Sequence, residues 1–197
     1  MKNNLAELTD IDIDVNVLRA EWSKQVVYQS GYNWQARNYV SFLFFTVYYQ
    51  QLLLSIEDII GEKPKNYIIQ MHDPTLQCGV TISGSAQPAP RNNKWYLNIA
   101  HKDVDRLTCI TLPVYYNRME PVNFYDDLAD IPVRGQPITA TPNQIGQYSD
   151  HHPTLMNVDN YHNVRVLDVS EPRIFIQMSY DLTFDELLSK DINLRVI

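Results

Sequence analysis

Cysteine is scarce in this 197-residue sequence, in which Cys78 and Cys109 are the only two and no C-x-x-C pair occurs. A zinc site built from several thiolates is therefore excluded. Two isolated cysteines are typical of a protein from a reducing compartment. A single disulfide between them stays open as an alternative, but buried free thiols are the favoured interpretation.

Basic residues are outnumbered, because the chain has 16 Lys and Arg against 23 Asp and Glu and a formal net charge of −7. No run of basic residues occurs in the sequence. A nucleic-acid-binding surface needs clustered Lys and Arg to neutralise phosphates, so we expect no nucleic-acid partner.

Long apolar segments are also absent. The most apolar run, residues 40–54, is interrupted by polar side chains and falls short of the roughly 20 residues that a membrane span needs. The first five residues lack the apolar core of a signal peptide. We therefore expect a soluble, cytoplasmic protein with no membrane partner.

The sequence has no G-x-G-x-x-G motif, no P-loop and no G-x-S-x-G elbow, and no alternation of strands with helices. Instead, short β-type runs are separated by turns rich in Pro, Gly, Asn and Asp. This pattern predicts a mainly β fold, in the form of an antiparallel sandwich, jelly roll or barrel. The runs are residues 67–71, 78–83, 95–100, 108–115, 155–158, 164–169 and 174–180.

Two helices are predicted beside the strands. Residues 38–60 have apolar side chains at helical spacing, with a strand as the alternative for the first half and Gly61 as the C-cap. Thr183 and Glu186 form a capping-box pattern that predicts a short helix within residues 181–190. We expect residues 1–66 to form a helical, aromatic extension packed on a β domain of residues 67–197, within a single structural unit.

An H-x-D triplet, His101 and Asp103, follows the apolar run 95–100. Residues i and i+2 of a strand point to the same face, so this imidazole and carboxylate are suited to be neighbouring ligands of one metal ion. A second histidine would complete a 2-His-1-carboxylate site, which is typical of non-haem Fe(II) oxygenases. His162 ends another apolar run, and Arg173 follows after enough chain for a strand and a turn. We therefore expect Arg173 across from His162 on an antiparallel partner strand.

The order of these motifs resembles a known family. H-x-D at 101–103, Ile-x-Leu-Pro at 110–113, P-x-L-x-N-x-x-x-x-H at 153–162 and E-P-R at 171–173 are similar to motifs of the 2-oxoglutarate- and Fe(II)-dependent oxygenases. The resemblance covers about residues 95–180. It is strongest to the aspartyl/asparaginyl β-hydroxylase-like branch, of which many members are encoded by bacteriophages.

The resemblance implies a double-stranded β-helix, also called a jelly roll or cupin-like fold. It implies that His101, Asp103 and His162 bind Fe(II) and that Arg173 binds the distal carboxylate of the cosubstrate 2-oxoglutarate. Thr111 and Arg106 are implied to assist the cosubstrate, although many relatives have Asn where Thr111 stands. Arg173 is one residue further from the distal histidine than the resemblance leads us to expect, which leaves Arg165 as its substitute.

The implied activity is hydroxylation of an unactivated C–H bond of a peptide side chain or small metabolite, with release of succinate and CO₂. The partner would then be a small-molecule or peptide substrate, in the host cytoplasm if a phage encodes the chain. One alternative is a non-catalytic jelly-roll binding or structural module, such as a virion or surface component. Another is the same iron site with a different cosubstrate, as in cupin-type enzymes.

A rival metal cluster is present at Asp150, His151 and His152. Adjacent residues of a strand point to opposite faces, so two neighbouring histidines bind one ion only if a turn brings them together. An ordinary loop is the favoured interpretation of this segment.

Overall fold

Antiparallel strands dominate the part of the chain that the computed structural model describes, which is residues 3–24, 37–72, 100–116, 121–125, 141–164 and 173–197. The strands, in chain order, are β1 (Leu5–Leu8), β2 (Arg37–Val40), β3 (Asn66–His72), β4 (Thr108–Tyr115), β5 (Val122–Tyr125), β6 (Gln144–Gly146), β7 (Thr154–Asn157), β8 (Tyr161–Val164), β9 (Arg173–Tyr180) and β10 (Leu194–Val196). The helices are α1 (Val15–Trp22), α2 (Val47–Ile60) and α3 (Phe184–Leu188), with a 3-10 turn at Phe42–Phe44.

Within these residues the strands form two antiparallel sheets. The larger sheet has the order β10-β1-β7-β4-β9-β3-β2, and the smaller has the order β6-β5-β8. The prediction of a mainly β fold with antiparallel sheets is confirmed. β1 and β2, which belong to the segment 1–66 that was expected to be a helical, aromatic extension, are strands of the larger sheet.

The strand pairs are nested along the chain. β3 pairs with β9, β4 with β7, and β5 with β6. An isolated bridge joins His101 to His162 of β8, between the first two of these pairs in chain order. The described strands from β3 to β9 are therefore paired in the order of one long hairpin, whose successive pairs alternate between the larger and the smaller sheet.

Strand β9 is buried on both of its faces. Ile174, Ile176 and Met178 belong to the apolar core that the larger sheet shares with α2. Phe175 belongs to a second core together with Phe124 of β5 in the smaller sheet. Because successive side chains of a strand alternate between its faces, one face of β9 packs toward the helices and the other toward the smaller sheet.

Local sequence patterns predicted several elements well. The run 108–115 coincides with β4, the run 174–180 lies within β9, and the capping box of Thr183 and Glu186 begins α3 as expected. Residues 78–83 and 95–99 lie outside the described residues, and so do residues 165–169 of another predicted run.

The helix predicted over residues 38–60 is correct only from residue 47 onward. Residues 37–40 form β2, which pairs with β3 along its whole length, as the strand alternative for this half allowed. Ser41 accepts the Leu43 N–H and begins the 3-10 turn, and Thr46 then begins α2. The prediction failed here because pairing with a neighbouring strand is not visible in helical periodicity. None of the described helices combines the length and apolar character needed to cross a membrane.

Gly61 ends α2 in the left-handed conformation, with φ of 71° and its N–H bonded to the Glu57 carbonyl. No heavy atom lies within 4 Å of the position that a Cβ would occupy, so backbone strain is the only obstacle to a side chain there. We predict that Gly61→Ala lowers the free energy of unfolding by about 1 kcal/mol, and that Gly61→Asn costs less because Asn tolerates this conformation. Urea unfolding curves measure both, and equal losses for the two variants would contradict the explanation.

Candidate metal centre

His101 and His162 face each other across a backbone bridge. The N–H of each residue donates to the carbonyl oxygen of the other, both at 3.0 Å. In an antiparallel pair, opposed residues project their side chains to the same face. The two imidazole rings accordingly lie with their centroids 4.6 Å apart.

The site lies on two neighbouring chain segments that connect the two sheets. The segment 101–107 leads from the bridge with β8 to β4, and the segment 158–160 leads from β7 to β8. They are tied together because the Asp103 N–H donates to the Val158 carbonyl and the Val158 N–H donates to the Leu107 carbonyl. The site therefore lies at a corner where both sheets meet.

Asp103 completes a group of three potential ligands with the two histidines. One ligand atom from each of His101, Asp103 and His162 lies within 4.8 Å of the other two. His101 Nε2 lies 3.7 Å from Asp103 Oδ1. Two imidazoles and one carboxylate this close together form a donor set that suits a divalent transition-metal ion.

His162 is held in the form that a metal ligand requires. Its Nδ1 lies 2.8 Å from the Asn160 carbonyl oxygen, and because a carbonyl only accepts, Nδ1 carries the proton. Nε2 is then the ring atom with a lone pair for a metal. Burial, and after it the nearby His101, lowers the pKa of His162 to about 4, so the ring is neutral at pH 7.

Asp103 is buried beside Arg106, and their side chains are 7% and 4% exposed. Arg106 Nε donates to Asp103 Oδ2 at 2.7 Å, while Oδ1 faces His101. The guanidinium is held from its far side by β9, since Nη1 donates to Ser179 Oγ at 3.2 Å and Nη2 to Gln177 Oε1 at 3.0 Å.

Thr111 belongs to the same polar network. Gln177 Nε2 donates to Thr111 Oγ1 at 3.3 Å, and Thr111 is fully buried. The structure therefore brings Asp103, Arg106 and Thr111 together, as three of the residues that the sequence singled out. It links them through Gln177.

Arg173 is buried on β9, on the same face as Phe175, Gln177 and Ser179. Its guanidinium carbon lies 4.1 Å from the centroid of the Phe175 ring, and Nη1 donates to Gln70 Oε1 at 3.5 Å. The expectation that Arg173 lies across from His162 on a paired strand is wrong, because β9 pairs with β3 and β4 while β8 pairs with β5. Arg173 instead starts the row of side chains that β9 turns toward the smaller sheet.

The remaining candidates are separate from this centre. Asp150, His151 and His152 lie in a bend, and His152 Nδ1 contacts the Ile11 carbonyl at 2.8 Å. Within the described residues, no metal-binding group includes these three, which agrees with the loop interpretation. Arg165 and Cys78 lie outside the described residues, whereas Cys109 is buried in β4 with its Sγ 3.6 Å from Thr111 Oγ1.

Gln177, Ser179 and Asn160 also hold the site in place, although no sequence motif singled them out. The first two share with Arg173 the odd-numbered positions of β9, whose even-numbered positions are apolar or aromatic. Polar residues at alternate positions of an otherwise apolar strand were therefore the available signal. Asn160 acts through its backbone carbonyl, for which no side-chain pattern exists.

No protein-family model, curated protein or solved structure matches the chain. The site is therefore defined by its own geometry, as a candidate 2-His-1-carboxylate metal centre between two antiparallel sheets.

We predict that the protein binds one Co(II) or Mn(II) ion, and that His101→Ala or His162→Ala weakens this binding at least 100-fold because each removes one of three protein ligands. Isothermal titration calorimetry measures the affinity. His151→Ala is the matched control, since it removes an exposed imidazole outside the centre. Equal affinities for His101→Ala and His151→Ala would rule out this metal centre.

Proposed function

We propose that this chain is an Fe(II)- and 2-oxoglutarate-dependent oxygenase that hydroxylates a C–H bond of a peptide side chain or small metabolite. The observation that carries the proposal is the convergence of His101, Asp103 and His162 from two separate chain segments. The motif order that resembles this family is independent of that geometry. The geometry and the motif order both single out His101, Asp103 and His162.

The strand pairing supports a double-stranded β-helix for the proposed enzyme. A jelly roll is a long antiparallel hairpin wound up so that successive strand pairs fall in opposite sheets. The nested pairs β3·β9, His101·β8, β4·β7 and β5·β6 follow this path. In this arrangement the H-x-D segment lies beside β8, the strand of the smaller sheet that carries the second histidine.

The ligand set favours iron(II) as the metal. His101, Asp103 and His162 would hold the ion with three protein ligands and leave room for a cosubstrate beside them. Iron(II) with bound 2-oxoglutarate supplies oxidative decarboxylation to succinate and CO₂, coupled to hydroxylation of the substrate. The protein's own contribution is to position these components and to exclude water from the space between the sheets.

Arg173 is the proposed anchor for the distal carboxylate of 2-oxoglutarate. Its planar guanidinium is suited to a carboxylate, and it lies in the same buried row of β9 as Gln177, whose amide contacts both Arg106 and Thr111. Thr111 remains the predicted assisting residue, whereas Arg106, the other residue predicted to assist, contacts Asp103 of the proposed metal site. The reaction suits a reducing cytoplasm, the compartment that we propose.

We predict that purified protein with Fe(II) converts 2-oxoglutarate to succinate in air, and that the anaerobic complex has a weak visible charge-transfer band. Arg173→Met should raise the KM for 2-oxoglutarate about 10- to 100-fold, since a charge-assisted contact contributes roughly 1.5–3 kcal/mol. Arg195→Met is the control, because it removes an exposed guanidinium from β10.

Three results would argue against the proposal in different ways. Metal binding without succinate formation and without the visible band would favour an iron site that uses another cosubstrate. If Arg173→Met leaves the turnover of 2-oxoglutarate unchanged, another residue binds the distal carboxylate. A protein that binds neither metal nor 2-oxoglutarate would favour the non-catalytic binding or structural module.

A further inference from the structure

The two oxygens of the Asp103 carboxylate have different surroundings. Oδ2 accepts the Arg106 Nε–H at 2.7 Å, whereas Oδ1 lies 3.7 Å from His101 Nε2 within the group of potential ligands. Because one lone pair of Oδ2 is engaged by the guanidinium while Oδ1 is turned toward His101, Oδ1 is the oxygen that is placed to bind an ion of this group.

Arg106 is itself fixed by a set of buried partners. Ser179 and Gln177 on β9 accept from its two terminal nitrogens, and Asp103 accepts from Nε. Each of the three nitrogens of the planar guanidinium therefore donates a hydrogen bond to a protein side chain, which fixes the orientation of the group. A lysine at this position would keep the charge but could not reach these three acceptors in one fixed plane.

We propose that Arg106 is a positioning residue that keeps Asp103 a one-oxygen metal ligand, with Gln177 and Ser179 holding the guanidinium in place. In this role Arg106 orients the metal ligand Asp103 and does not contact the cosubstrate. The inference rests on the metal centre of the proposed function. It does not depend on the identity of the cosubstrate or substrate.

Two consequences follow for the metal. A carboxylate held to one oxygen leaves one more coordination position open than a carboxylate that binds through both oxygens. The Arg106 charge also compensates Asp103 when the metal is absent, so the ligand stays buried and oriented before an ion arrives. Loss of the guanidinium would therefore change both the affinity for metal and the coordination of the bound ion.

The test compares Arg106→Lys with wild-type protein, using Co(II) as the probe. We expect the dissociation constant for Co(II) to rise about 10- to 100-fold, as is usual when the partner of a metal ligand is removed. We also expect the visible absorption of bound Co(II) to change, since it reports the number and arrangement of ligands. Arg195→Lys is the matched control, because Arg195 pairs with Glu7 outside the centre.

Ser179→Ala and Gln177→Leu keep the test decisive if Arg106→Lys does not fold. Each removes one contact that orients the guanidinium and leaves the Asp103–Arg106 pair in place. We expect each to weaken Co(II) binding by a smaller factor than Arg106→Lys. Urea unfolding of the metal-free variants separates loss of metal affinity from loss of folded protein.

Four outcomes would overturn the assignment. Folded Arg106→Lys that binds Co(II) with wild-type affinity and absorption would do so, as would unchanged binding in both β9 variants. If Arg106→Lys raises the KM for 2-oxoglutarate but leaves Co(II) binding unchanged, Arg106 contacts the cosubstrate, as the sequence predicted. Wild-type protein that binds no Co(II) would remove the proposed function as well, whereas Co(II) binding without succinate formation would remove only that function.

Discussion

The buried ion pair between Asp103 and Arg106 is the interaction on which the site depends. Two charges with side chains only 7% and 4% exposed are costly to remove from water unless each has its partners. Here the carboxylate pairs with the guanidinium, and the guanidinium is completed by Gln177 and Ser179. Because a buried ion pair stabilises a fold no better than apolar packing does, its value lies in the orientation that it imposes on Asp103.

The larger sheet separates two interiors of different character. Toward the helices it presents Ile174, Ile176 and Met178, with the apolar side chains of α2 packed on them. Toward the smaller sheet the same strand presents Arg173, Gln177 and Ser179. The helical side can supply the hydrophobic stabilisation of the sheet, while the other side carries buried polar groups that hydrogen-bond to one another, as Gln177 and Ser179 do with Arg106.

The helices and strands followed local rules to different degrees. The C-cap at Gly61 and the capping box of α3 depend on a few adjacent residues, and both formed as their patterns indicate. Residues 37–40 did not, because their conformation is set by pairing with β3, which lies beyond α2 in the sequence. The position of Arg173 was misjudged for the same reason, since the choice of partner for β9 is a property of the whole sheet.

Local chemistry along the chain was enough to indicate a mainly β fold and to single out His101, Asp103 and His162 as candidate ligands. Strand periodicity and an H-x-D triplet are both short-range features, so they can be seen without a structure. Only the tertiary structure decided that 101–107 and 158–160 lie side by side, that the Asn160 carbonyl fixes the proton on His162, and that Arg106 holds Asp103. The first two contacts join residues far apart in the chain or act through backbone atoms, so the sequence pattern of side chains carries no record of them. Arg106 is only three residues from Asp103, but Gln177 and Ser179 of the distant strand β9 are what hold its guanidinium in place.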